Sequence, residues 1–214
     1  MRLYDYSASA NCYKARLLLA QLDRQYERVP IDIFGGDTLT DHFAAKNPAR
    51  STPVLETDDG RYLQESNAIL WYLAEGSEFL PDDQFERAHV LKWLILEQTD
   101  VMPGIGGLRF RLLTGRWSPE QPEAKQRRAL GSSALAMLEA HLAERTFFVA
   151  DRYSIADISL YSYTHTAPEA GFDLTKFPAV TAWLRRVEQA PRFVNDLQPY
   201  PANAALGAGS SIYG

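Results

Sequence analysis

Three short segments carry side chains able to act on a small anionic or sulfur-bearing ligand. The first, Tyr6-Ser7-Ala8-Ser9-Ala10-Asn11-Cys12-Tyr13-Lys14, joins a strand-like run to a helix-like one. A loop entering a helix presents unpaired backbone N–H groups and the positive end of the helix dipole, and so favours anions. A hydroxyl there, that of Ser9, can donate to a bound thiolate. Ser9 and Asn11 are also good N-cap residues, and the segment alone slightly favours that plainer role. The second segment, Asn47 to Leu55, sets Pro53 at the first position of a strand, where it withholds no needed ladder donor. A cis Thr52–Pro53 bond would turn the N–H and C=O of Thr52 toward a ligand peptide, although an isolated X–Pro bond is more often trans. The third, Gln64-Glu65-Ser66-Asn67-Ala68-Ile69-Leu70, lets Ser66 cap a helix whose N–H groups can receive a carboxylate. Glu65 can accept from an ammonium, so the pair suits an amino-acid head group. A capped helix beside a solvated acid explains this segment about as well.

The elements that must position these residues follow from periodicity. Leu3 to Tyr6 reads as a strand, and Ala15, Leu18, Leu19 and Leu22 fall on one face of a helix. Tyr26 to Ile33 reads as a second strand. Pro53–Thr57 and Arg61–Leu63 flank Asp58-Asp59-Gly60, a hairpin turn signal. A helix follows, with Ile69, Tyr72 and Leu73 on its buried side. The order is β-α-β, an irregular connection, then β-β-α. No convincing strand lies beyond Phe85. Phe85 to about Leu113 reads as one long helix, apolar on two faces through Val90 to Leu96. Leu130, Ala134, Leu138 and Leu142 mark a second helix, and Val180, Trp183, Leu184 and Val187 a later one. Ser154 and Asp157 have capping-box spacing, with Tyr153 and Ile158 placed for a hydrophobic staple; that motif reads as structural. The expected organisation is an α/β domain over 1–76, a linker over 77–84, an all-helical domain over 85–200, and a tail over 201–214.

Composition narrows the function classes. With 46% apolar and 23% charged residues the chain is ordinary globular protein, and its net charge of −5 has no basic run to suggest nucleic acid. No apolar stretch approaches the roughly 20 residues that span a bilayer, and no secretory signal pattern opens the chain. Cys12 is the only cysteine, so neither an intrachain disulfide nor a cysteine-based metal site can form. The expectation is a cytoplasmic protein without metal, nucleic-acid or membrane partners.

Taken together, in this order and spacing, the motifs resemble the soluble glutathione transferase superfamily. A serine follows the first strand, then come a Pro-Val-Leu strand, Glu-Ser before the third helix, and Ser-Ile-Ala-Asp in the helical part; the likeness spans roughly residues 1 to 195. It implies a thioredoxin-like N-terminal domain, an all-α C-terminal domain and a two-fold homodimer. Glutathione is the implied co-substrate, with a hydrophobic electrophile or peroxide as its target. Ser9 matches the catalytic serine of the theta-like and zeta-like classes. Thr52 matches the backbone contact to the cysteinyl part of glutathione, Pro53 the cis proline, and Glu65 and Ser66 the γ-glutamyl contacts. Arg50 matches a basic position near the glycyl carboxylate, with His42 second to it. Two assignments stay open: Cys12 aligns with the cysteine of beta-like enzymes, and Asn11 is placed to share the thiolate contact. Tyr6 is expected to line the pocket. The electrophile is expected between the Tyr6–Ser9 loop and the long helix, with Met102, Ile105, Arg109, Phe110 and Tyr163 as its walls. Alternative activities are a Cys12-dependent disulfide oxidoreductase, a zeta-like isomerase, and a non-catalytic binding module.

Overall fold

The structure, a computed structural model, describes residues 1–213. Contacts divide the chain into two compact units, Met1–Leu73 together with the residues from Val194 onward, and Ala74–Phe193. The second unit therefore closes before the expected boundary at residue 200. The polar tail does not form a separate region but belongs with the first unit.

The first unit holds β1 (Arg2–Asp5), α1 (Ala10–Gln21), β2 (Glu27–Pro30), α2 (Asp41–Ala44), β3 (Val54–Glu56), β4 (Tyr62–Gln64) and α3 (Ser66–Ala74), whose last residue passes into the second unit. The sheet order is β2-β1-β3-β4. β1 runs parallel to β2 and antiparallel to β3, which pairs antiparallel with β4; Leu55 stands opposite Leu3 on one side and Leu63 on the other. This mixed sheet with helices is the expected thioredoxin-like arrangement. Leu3, Val54, Leu55, Leu17, Leu18, Ile69 and Leu70 are wholly buried in it. The helix α1 is buried on far more than the single face its apolar spacing marks, because the chain from Val194 returns to it. Tyr13 Oη donates to the carbonyl of Val194 at 2.6 Å, and Arg16 binds Asp196. Farther along, Asn203 Nδ2 donates to Asp32 Oδ2 at 2.8 Å and the N–H of Ser210 to the carbonyl of Phe34 at 2.8 Å.

The second unit is helical: α4 (Gln84–Leu96), α5 (Gly107–Leu113), α6 (Pro122–Leu142), α7 (Ile155–Thr164) and α8 (Pro178–Glu188). The single long helix expected over 85–113 is interrupted. Glu97–Gly106 is wound as a π-helix containing Pro103. Proline withholds an amide from the α-helical ladder, and the wider turn lets two glycines meet their neighbours. A Cβ at Gly104 would lie 2.6 Å from the Gly131 nitrogen, and one at Gly106 2.3 Å from the Tyr163 ring. On α4 Val90, Trp93 and Leu94 are buried while Phe85, Leu91 and Ile95 are exposed. The capping box at Ser154 and Asp157 is formed as its spacing predicts. Among the described residues no helix is long and apolar enough to cross a membrane.

Candidate active site

The candidate site gathers where α1 and α3 begin. Ser9 is the N-cap of α1: it has extended backbone angles, and its Oγ accepts from the N–H of Cys12 at 3.3 Å. Accepting uses a lone pair and leaves the hydroxyl hydrogen to donate elsewhere, so capping and thiolate binding are compatible roles for one side chain. Asn11 stands in the first turn, half-buried. Its Oδ1 receives Ser66 Oγ at 3.1 Å and Lys14 Nζ at 3.0 Å. That pair of bonds ties the start of α1 to the start of α3.

Cys12 lies beneath them and is wholly buried. Its Sγ accepts from the N–H of Tyr6 at 3.4 Å. Burial pushes the thiol up to about 12 and the nearby Asp5 carboxylate adds to this; hydrogen bonds with Thr52, the Tyr6 amide and Ser9 only partly oppose them. At neutral pH such a group stays the thiol, and thiolate is the reactive form. The resemblance left open a match of Cys12 with the cysteine of beta-like enzymes; in the structure its side chain is buried in the core. A thiol reagent at about pH 8 is expected to modify Cys12 slowly in the native protein and at the ordinary thiol rate in denaturant. Equal rates in the two states would overturn this placement.

The Thr52–Pro53 bond is cis. The backbone N–H and C=O of Thr52 make no hydrogen bond within the protein among the described residues, and its side chain reaches Cys12. Glu65 is exposed, with φ 68°. Ser66 is the first residue of α3 and is buried, its hydroxyl turned inward to Asn11 and Lys14. Tyr6 is buried edge-on to Phe34, and no partner for its hydroxyl is present among the described residues. Tyr213, near the end of the returning chain, lies within electrostatic range of both Cys12 and Glu65.

Other expected residues are engaged within their own units. Arg50 donates to the carbonyls of Thr38 and Thr40 at 3.1 and 3.2 Å and faces Asp41 at 3.5 Å. His42 Nε2 sits 3.0 Å from Lys46 Nζ. In the helical unit Ile105 is wholly buried, and Arg109 is buried and ion-paired with Glu169 at 2.9 Å. Tyr163 packs its ring on Gly106, and Phe110 lies under Arg116. Met102 and Phe110 are half-buried.

Lys14 and Asn67 were not foreseen as part of the site. The signal was present as a lysine three residues after Asn11 on a helix whose following residues are mostly apolar. Among the described residues no group of His, Cys, Asp or Glu is arranged to hold a metal ion.

Both units of the chain resemble known proteins. Residues 3–78 match the family description "Glutathione S-transferase, N-terminal domain", and residues 91–191 match "Glutathione S-transferase, C-terminal domain". A crystal structure of glutathione S-transferase from Pseudomonas fluorescens is 44% identical with a TM-score of 0.88, covering 92% of this chain and 98% of that one. Maleylacetoacetate isomerase of Pseudomonas aeruginosa is 27% identical, covering 95% of this chain and 97% of the relative. Elongation factor 1-gamma of Artemia salina is 28% identical over 79% of this chain, which spans only 40% of that protein's length. With two domains of one family in order and a near full-length likeness, the chain belongs to the glutathione S-transferase family, whose co-substrate is glutathione.

Proposed function

We propose that this chain ionises the thiol of glutathione and directs it at a hydrophobic electrophile or a peroxide. The observation that carries the reading is the place of Ser9 as the cap at the start of α1, with a hydroxyl that bonds the N–H and thiol of Cys12 and can turn its hydrogen to an incoming sulfur. A free thiol titrates near 8.5, so little thiolate exists at neutral pH. A donor hydroxyl and the positive end of α1 both favour the charged sulfur. Thr52 offers its unpaired backbone to the cysteinyl peptide, Pro53 holds that segment, and Glu65 with the first N–H groups of α3 takes the γ-glutamyl head. Arg50 and His42 stay candidates for the glycyl carboxylate, although the present contacts of Arg50 would have to loosen. Met102, Phe110 and Tyr163 are the helical-unit residues we assign to the electrophile, with Ile105 and Arg109 supporting them from the core. Leu91 and Ile95, exposed on α4, fit the face of a homodimer.

Cys12 chemistry is the weaker reading, since its thiol is buried and protonated. A glutathione-dependent isomerase is a second reading, favoured by the likeness to maleylacetoacetate isomerase. It would turn over substrate without consuming glutathione.

The deciding experiment titrates reduced glutathione into wild type and Ser9→Ala while following thiolate absorbance. A hydrogen bond to a charged group contributes about 1.5–3 kcal/mol, so Ser9→Ala is expected to raise the bound thiol pKa by about one to two units. Thiolate retained unchanged in Ser9→Ala would move the role to Asn11. Binding without thiolate would point to a non-catalytic module.

A further inference from the structure

Lys14 is a wholly buried lysine that the mechanism above does not use. Its ammonium lies 3.0 Å from Asn11 Oδ1, 3.3 Å from Ser66 Oγ and 3.4 Å from Asn67 Oδ1. An ammonium only donates. It therefore fixes which end of the Asn11 carboxamide faces it: the oxygen, which also receives the Ser66 hydroxyl at 3.1 Å. With its oxygen held by two donors, the planar amide must carry its NH₂ on the opposite side. No hydrogen bond from that NH₂ to the protein is present among the described residues. Asn11 sits in the first turn of α1, two residues past the cap at Ser9.

We propose that Lys14 is a positioning residue for the glutathione thiolate, locking Asn11 so that its NH₂ joins the Ser9 hydroxyl as a second donor to the sulfur. The inference rests on the transferase reading given above. Lys14 acts in two ways. It orients the amide, and its buried charge adds a field that favours an anion nearby, which low-dielectric surroundings screen less than water would. The same ammonium holds the Ser66 hydroxyl inward, leaving the leading N–H groups of α3 to face the γ-glutamyl carboxylate. Packing alone gives no reason for a lysine here. An apolar side chain of similar length would fill the space without the cost of desolvating an ammonium.

The test uses the full chain with Lys14→Met, Lys14→Gln and Lys14→Arg, titrating thiolate absorbance of saturating glutathione against pH. Of the titratable groups on α1 and around its start, burial raises Cys12 and Tyr213 and keeps both uncharged through the range of interest, while Glu65 is exposed. The neutral variants are expected to move the bound thiol up by about one pKa unit, a roughly tenfold loss of thiolate below the transition. Lys14→Arg should restore most of the wild-type value. A folded Lys14→Met or Lys14→Gln with the wild-type thiol pKa overturns the proposal. So does failure of both neutral variants to fold, which would make Lys14 structural only. If wild-type protein itself leaves the thiol pKa of glutathione unshifted, the transferase reading fails first and takes this inference with it.

Discussion

Asp157→Ala is expected to lower the unfolding free energy by about 3–5 kcal/mol and the melting temperature by roughly 6–20 °C. The carboxylate is wholly buried and ties three parts of the helical unit together. Oδ1 accepts from Trp183 Nε1 at 2.9 Å and from the Phe148 N–H at 3.3 Å. Oδ2 accepts from the Ser154 N–H at 3.0 Å and its hydroxyl at 3.2 Å. Truncation orphans donors on α8, on the preceding loop and at the cap of α7 in one step. A buried donor left unsatisfied costs about 1–3 kcal/mol. A calorimetric shift below 3 °C would show that water or repacking replaces these bonds.

The same residue predicts a pH dependence. Burial pushes the Asp157 carboxyl up to about 7, against the pull of its four donors. Between about pH 4 and 7 the folded state then holds a proton that the unfolded chain has released. Stability from this group therefore falls as pH rises through that window and is flat above it. Asp157→Asn cannot titrate, so the wild-type minus Asp157→Asn stability should decline from about pH 4 to 7. A difference that does not change with pH would mean that the four donors hold the carboxylate ionised.

Arg16→Met is the second large loss, at about 3–5 kcal/mol. Arg16 and Asp5 are each about 1% exposed, with Nη1 2.6 Å from Asp5 Oδ1. Arg28 also reaches Asp5, but from a side chain that is partly solvated and therefore screened. Removing Arg16 leaves a buried carboxylate with one outer partner, which is far costlier than losing a surface pair. Arg16 also holds Asp196 through Nε at 2.8 and 2.9 Å and the Ser7 carbonyl through Nη2 at 3.3 Å. That carbonyl also receives the Gln198 N–H at 3.1 Å. The returning chain is thereby fastened to the loop that ends in Ser9, so Arg16→Met should weaken thiolate formation as well as stability. Asp196 is 39% exposed on its side chain, so Asp196→Ala alone should cost under about 1 kcal/mol. Urea unfolding of the two variants checks the contrast. Equal losses would place the energy in the Asp196 arm.

What the sequence determines by itself is what neighbouring residues dictate to one another. The strands around Asp58-Asp59-Gly60, the helix stripe through Val180 to Val187, and the capping box at Ser154 and Asp157 all form where short-range spacing places them. Ser9 as a helix cap is local in the same sense, whereas Ser66, expected to cap α3, is its first residue and turns its hydroxyl to Asn11 and Lys14. The two-domain thioredoxin-like and helical architecture was legible because these motifs occur in one order.

The tertiary structure decides what depends on residues far away in the chain. Periodicity marks an apolar face on α1 but cannot foresee that Asp196 on the returning chain meets Arg16, or that Ser66 and Asn67 meet Lys14, and so does not show that both charges are buried. Cys12 shares a turn with Ser9, yet burial beneath that turn, with Asp5 nearby, pushes its thiol up, and neither is visible in the local sequence. The π-wound stretch at Glu97–Gly106 needs Gly131 and Tyr163 to press against it, and neither contact is visible in a helical repeat. Pro53 is ambiguous in isolation, and the structure has its bond to Thr52 cis. Burial and electrostatics are sums over spatial neighbours, and folding is the step that brings those neighbours together.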